Sequence, residues 1–186
     1  MREAANMLFN GKILGWFQGR SELGPRALGN RSILADPRRP EMKDEINKKV
    51  KFREEFRPFA PSVLEERAMD LFEMDSPSPF MTITYPVRSK WREKLGAVTH
   101  VDGTARVQTV SRDTNPRFHS LVREFGALSS VPVVLNTSFN TRGEPIIETP
   151  LDAVRTFNGT GLDALFIGDF VVSKPFRPRS QNHATQ

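Results

Sequence analysis

A chain of 186 residues and 21.1 kDa, 38% hydrophobic and 26% charged, is long enough to bury one core and too apolar to be disordered over most of its length. It contains no cysteine, which excludes disulfides, thiolate catalysis and iron–sulfur or zinc–thiolate sites within these residues. Its 27 Lys+Arg against 22 Asp+Glu give a net charge of +5, and 19 of those cations are arginine. The planar guanidinium grips phosphate and carboxylate in pairs, so the balance points to an anionic ligand. No apolar run approaches the roughly 20 residues of a membrane span. Met1-Arg2-Glu3-Ala4 opens no signal-peptide core, and a cytoplasmic protein is expected.

Residues 2–10 read as the end of a helix with Ala4, Ala5, Leu8 and Phe9 on one side, stopped by Asn10-Gly11. A chain that opens inside a helix reads as a piece of a longer one. Ile13 to Phe17 is expected as a short buried strand, and residues 18–30, with three glycines and a proline, as a loop of special backbone angles. Ser32 to Ala35 reads as a strand, and Pro40 to Lys49 as a helix with Met42 and Ile46 on one face. Phe59 to Leu64 is a strand. The acidic, Pro/Ser-rich residues 65–79 read as a mobile surface loop. Met81–Tyr85 and Arg106–Val110 alternate as strands do, with irregular chain between. Asn115-Pro116 opens a helix to Phe125, Val131–Leu135 is a buried strand, and Thr149-Pro150 caps a helix to Phe157. Leu165–Ile167 and Phe170–Val172 close the fold as a hairpin about Gly168-Asp169. Helices and strands interleave without a strict βαβ rhythm, which predicts a mixed α/β sheet.

Four constellations carry chemistry. Gly19-Arg20-Ser21-Glu22-Leu23-Gly24-Pro25-Arg26-Ala27-Leu28-Gly29-Asn30-Arg31 offers glycine-freed backbone NH groups and three arginines to an anion. The alternative is a structural loop whose arginines pair with Glu22. Lys48 to Phe59, if strand-like, sets Lys51, Arg53, Glu55 and Arg57 on one face and Phe52, Glu54 and Phe56 on the other, a cationic row that suits a polyphosphate. Asn136 to Pro145 follows a buried strand at its carboxyl end, where ligands of open α/β sheets sit. His100-Val101-Asp102, with Arg106 beyond, is a weak signal for a metal-bound nucleotide. No metal-ligand spacing appears, so no tightly held protein metal is expected. No Ser/His/Asp triad appears either. The candidates are cations and hydrogen-bond donors, which predicts electrostatic chemistry on phosphates.

The segments GWFQGRSELGPRALGNRSILADPR (15–38), KFREEFRPFAPSV (51–63), HVDGTARVQTV (100–110) and VPVVLNTSFNTRGEPI (131–146) together resemble the C-terminal domain of the O-carbamoyltransferases of nodulation and antibiotic biosynthesis. The resemblance spans residues 8–173. It implies an α/β fold of YrdC-like type, a twisted mixed sheet flanked by helices, over 1–175, with 176–186 a flexible tail. It implies ATP, accompanied by Mg²⁺, and carbamoyl phosphate as ligands, and carbamoyl-adenylate as product. Transfer to a hydroxyl acceptor belongs, in that family, to an iron-carrying N-terminal Kae1-like domain absent from these residues and expected as a partner.

The resemblance also implies site residues. The YrdC-like signature KxR…SxN falls on Lys51, Arg53, Ser138 and Asn140. Arg57 and Arg26 match contacts to carbamoyl phosphate and phosphate, Arg106 a further phosphate contact, and Asn136 a nucleotide or carbamoyl contact. Lys51, Arg57 and Arg26 are the expected catalytic groups; Arg53, Arg106, Asn136, Ser138, Asn140 and Arg142 are the expected binding groups. Two readings remain beside this one. A threonylcarbamoyl-AMP synthase would use the same fold with bicarbonate and threonine, but lacks the GPRALGNRS loop pattern. A basic RNA-binding module is disfavoured as a partner reading by the single Tyr and two Trp available for base stacking.

Overall fold

Apolar residues that alternate along each strand sort their side chains into two cores, one on either face of a sheet. A computed structural model describes residues 1–52, 54 and 57–174. In chain order the helices are α1 (Arg2–Phe9), α2 (Met42–Ile46), α3 (Ala68–Leu71), α4 (Ser89–Arg92), α5 (Pro116–Ser129) and α6 (Pro150–Gly159). The strands are β1 (Leu14–Phe17), β2 (Arg31–Ala35), β3 (Ala60–Leu64), β4 (Thr84–Pro86), β5 (Thr104–Arg106), β6 (Gln108–Val110), β7 (Val133–Ser138), β8 (Ala164–Ile167) and β9 (Phe170–Ser173).

Seven strands form one sheet in the order β6-β3-β7-β2-β1-β8-β9, and β4-β5 make a separate pair. The β3–β6 and β1–β8 pairs are parallel and the other pairs of the sheet antiparallel. This is the mixed, helix-flanked α/β sheet expected from the sequence. One core gathers Leu14, Trp16, Leu34, Leu64, Val110, Val134 and Phe166 beneath α1 and α5. The other gathers Ile33, Ala35, Val63, Val133, Leu135 and Leu165 beneath α2 and α6. Val133, Val134 and Leu135 thus point to alternate cores, as a strand's period of two requires.

Local signals set several boundaries. The Asn115 side chain accepts from Phe118 N at the start of α5. Thr149 and Asp152 form a reciprocal capping box at α6, with Pro150 at its first position. The hairpin about Gly168-Asp169 pairs β8 with β9.

The structure corrects three expectations. Residues 48–51 are not strand-like: α2 runs on into a π-turn, Asn47–Lys51, closed by Phe52 in the left-handed conformation. Lys51 is therefore buried while Arg57 is exposed, and the two do not share a strand face. Residues 65–79 are not a mobile loop: Ala68, Leu71 and Phe72 are buried, Phe72 bridges to Val87, and Ser78 N donates to Thr109 Oγ1 at 3.0 Å. Three apolar anchors within an acidic stretch outweigh its surface composition. The strand expected at Met81–Tyr85 begins only at Thr84, because Met81 is buried with φ at 54°. Arg53 and the tail 176–186 lie outside the described residues.

The loop between β1 and β2 returns to the sheet at Gly29, whose φ is +106° and where a Cβ would stand 2.2 Å from Phe118 Cδ1. Gly29→Ala is expected to lower unfolding stability by about 2 kcal/mol or more through backbone strain and overpacking. Urea unfolding measures it; parent-like stability would show that the loop is free to move off α5.

Candidate active site

The loop from Gln18 to Asn30 is held from inside. Glu22 Oε1 accepts from the backbone NH groups of Leu28 and Asn30, both at 2.7 Å, and of Arg31 at 3.3 Å. Three NH groups of this segment are thus taken by the loop's own carboxylate, and that of Gly29 by Ser32 Oγ at 3.1 Å. Arg31, 4% exposed, donates to Gln18 O at 2.8 Å and lies 3.6 Å over the Phe17 ring. Burial pushes its guanidinium below the ordinary arginine pKa, against the attraction of Glu22 and Glu148. Arg31 is thus a prop for the loop, and Arg26 projects from it exposed.

Three buried polar side chains on neighbouring strands grip the same loop. Gln108 on β6 lies opposite Ser62 on β3, and Ala60 on β3 opposite Asn136 on β7. Ser62 Oγ donates to Gln108 Oε1 at 2.5 Å, and Asn136 Nδ2 donates to Gln108 Oε1 at 3.0 Å. Gln108 Nε2 donates to Leu28 O at 2.8 Å and Asn136 Nδ2 to Ala27 O at 3.2 Å. A backbone carbonyl only accepts, so these two bonds set which way each amide faces. Asn136 Oδ1 is left buried and without a hydrogen-bond partner.

Arg26, Arg106, Asn136 and Ser138 line one cleft, walled on another side by Pro58 and Phe59. Arg106, at the end of β5, keeps its Nε buried and unpartnered. Burial, then the nearby Arg26 cation, pushes its pKa below the usual arginine value. Two like charges and two unsatisfied polar atoms in one cleft are costly without an anion that also offers a donor and an acceptor.

Lys51 anchors the far end of β7. Its Nζ donates to Ser138 O at 2.5 Å, Asn140 Oδ1 at 2.7 Å, Asn140 O at 3.1 Å and Ser138 Oγ at 3.2 Å. Ser138 Oγ in turn donates to Asn140 Oδ1 at 2.7 Å, and Asn140 Nδ2 to Glu144 O at 2.6 Å. The KxR…SxN positions Lys51, Ser138 and Asn140 are therefore brought together, with Lys51 fixing the turn that presents Ser138. Arg57 is exposed beside Pro58 of the cleft. Arg142 is not brought to this cleft: it lies 3.5 Å from Glu54 and lines a separate groove with Phe52 and Arg155.

Gln108 and Ser62 were not singled out by sequence as site-shaping residues. Their partners lie up to 80 positions away, and the only local trace is a polar residue on the inward face of an otherwise apolar strand. Among the described residues no group of three or more His, Asp or Glu side chains is placed to hold a metal ion, and no helix is long and apolar enough to cross a membrane.

Residues 5–174 match the family described as Carbamoyltransferase C-terminus. Over 180 residues, 95% of this chain, the sequence is 54% identical to nodulation protein NolO of Bradyrhizobium diazoefficiens, of which it covers 32%. It is 55% identical to nodulation protein NolNO of Sinorhizobium fredii over 92% of this chain and 26% of that protein. The chain thus spans about a third or less of these relatives. The fold is similar to that of HypF from T. kodakarensis, with a TM-score of 0.56 and 20% identity, covering 84% of this chain and 19% of HypF. That likeness agrees with a YrdC-like fold.

Gln108→Leu keeps the side-chain volume but strips Leu28 O, Ser62 Oγ and Asn136 Nδ2 of a partner. It is expected to cost about 1–3 kcal/mol of stability, read by urea unfolding. A variant as stable as the parent would remove the cluster as the anchor of the Arg26 loop.

Proposed function

Because the chain belongs to the carbamoyltransferase C-terminal family, we propose that it binds carbamoyl phosphate and ATP at the Arg26–Arg106–Asn136 cleft and forms carbamoyl-adenylate. The observation that carries this reading is the pair of buried, unpartnered groups in a cationic cleft: Arg106 Nε, a donor, and Asn136 Oδ1, an acceptor. A carbamoyl group presents a carbonyl oxygen beside an NH₂, the complement of that pair. The match to the carbamoyltransferase family, rather than this pair, weighs against the threonylcarbamoyl-AMP synthase reading.

In this reading water attacks the carbamoyl carbon, the C–O bond to phosphate breaks, and inorganic phosphate leaves. A carbamate oxygen then attacks the α-phosphorus of ATP, the bond from that phosphorus to the α,β-bridging oxygen breaks, and pyrophosphate leaves. Arg26 and Arg106 offset the negative charge gathered in each step, and their mutual repulsion is relieved by the ligand rather than by a protein carboxylate. Lys51 holds the Ser138–Asn140 turn in register with the reacting group. Mg²⁺, arriving on the ATP phosphates, supplies further charge neutralisation. Transfer to a hydroxyl acceptor, with iron, is left to a Kae1-like domain as partner.

Pyrophosphate release from Mg²⁺-ATP tests the proposal. Release that requires carbamoyl phosphate is expected; release without it, or none from a folded chain, argues against an adenylating domain. Arg106→Lys keeps the charge but loses the Nε donor, and is expected to weaken carbamoyl phosphate binding by about 10-fold or more. Calorimetric affinity equal to the parent would take Arg106 out of the site.

A further inference from the structure

A second, small cleft shares Pro58 and Phe59 with the first. Ala97, Val98 and Val101 add apolar walls, and Lys43, Thr99 and His100 add polar ones. Such a slot beside a cationic cleft suits the flat, mostly apolar part of a ligand whose charge lies next door.

The imidazole in this slot is held in one tautomer. Asp102 Oδ1 accepts from Thr104 Oγ1 at 2.7 Å and from Thr104 N at 2.9 Å. A carboxylate cannot donate, so the single hydroxyl proton of Thr104 is spent on Asp102. Thr104 Oγ1 therefore accepts from His100 Nδ1, 3.1 Å away. The proton of the neutral ring sits on Nδ1, and Nε2 carries a lone pair. That Nε2 is buried and has no partner. Burial lowers the His100 pKa, with Arg106 and Lys43 adding to the shift and Asp102 opposing it, so the ring is neutral near pH 7.

We infer that this slot is a nucleobase subsite that selects the 6-amino group of adenine. The inference rests on the ATP reading above and gives it its adenine contact. His100 Nε2 accepts from the amino group, and the Lys43 ammonium donates to an adjoining ring nitrogen. An anionic occupant is disfavoured, because its oxygens would face the same lone pair. Guanine and hypoxanthine present a carbonyl oxygen where adenine presents its amino group, and meet the same conflict.

The test compares ATP, inosine triphosphate and inorganic tripolyphosphate by calorimetry on the 186-residue chain. ATP is expected to bind about 10-fold more tightly than inosine triphosphate, whose base carries a carbonyl oxygen for the amino group and a proton on the adjoining ring nitrogen. His100→Phe is expected to bring ATP down to the inosine triphosphate level and leave tripolyphosphate unchanged. His100→Gln, which keeps a polar head and can turn its amide N–H toward an oxygen, narrows or reverses the preference. It serves also if the Phe variant fails to fold. Nitrogen NMR is expected to report the Nδ1-protonated tautomer in the parent and its loss in Thr104→Val. Equal binding of ATP and inosine triphosphate by the parent, or a preference that survives both His100 substitutions, overturns the subsite while the phosphate cleft stands. Failure of ATP and tripolyphosphate alike to bind overturns the ATP reading, and the subsite with it.

Discussion

The site depends on three polar side chains buried where an α/β sheet would ordinarily carry apolar ones. Ser62, Gln108 and Asn136 occupy the α5-side face of three adjacent strands, and each is at most 4% exposed. Polar groups at that depth are tolerated only when paired. Their partners are one another and the carbonyls of Ala27 and Leu28. The sheet and the arginine loop are thereby coupled: lifting the loop would strand two amide donors in the core. The loop is fixed from its other side by Glu22 and by Trp16 Nε1, which donates to Gly29 O at 2.8 Å. An exposed Arg26 is thus carried on a backbone that has little freedom, which is what charge stabilisation by position requires.

The cations of the molecule divide into those already answered and those left for a ligand. Lys51 is surrounded by four oxygens of Ser138 and Asn140. Arg31 is capped by carbonyls, and Arg38 is locked to the fully buried Asp36 at 2.6 Å. Arg106 differs: its Nε, like that of Arg31, is buried without a partner, but where Glu22 and Glu148 attract the Arg31 charge, the Arg106 charge is opposed by that of Arg26. This contrast, rather than the overall net charge, marks where an anion belongs. Net charge reports on attraction at long range; two like charges held together report on a specific site.

What the sequence made legible follows the range of the forces involved. The caps of α5 and α6 and the β8–β9 hairpin rest on residues within four positions of each other, and all were readable. So was the buried strand at Val131–Leu135, though not the split of its residues between two cores. The π-turn at Asn47–Lys51 was not, because nothing in NKKVK distinguishes it from the end of an α-helix or a charged strand; Gly161 N donates to Lys49 O at 2.8 Å from far along the chain. Leu71 and Phe72 were misjudged because the acidic residues around them describe the surface they cover, not the core they enter. Among the site residues, Arg26, Arg106, Asn136 and Ser138 do converge, and Lys51 reaches Ser138 and Asn140. Arg142 sits only two residues beyond Asn140, yet the Thr141–Glu144 turn sends it to Glu54. Adjacency in a motif is not adjacency in space once a turn intervenes.

His100 shows how a weak sequence signal acquires meaning from its second neighbours. A histidine two residues from an aspartate suggests a metal or a relay equally. The structure instead interposes Thr104, whose one proton decides the matter for both partners. Asp102 takes that proton, Thr104 must then accept, and the ring is left with its lone pair on Nε2. The nearby cations Lys43 and Arg106 add to burial in resisting protonation. A neutral acceptor is thereby maintained within a region dominated by positive charge. The two clefts, which share Pro58 and Phe59, consequently ask for opposite things. One seeks negative charge with an amide-like edge; the other seeks an apolar plane with an N–H to give. A single ligand meeting both must carry its charge at one end and its hydrogen-bond donor at the other, which is the polarity of an adenine nucleotide and not that of a simple phosphate.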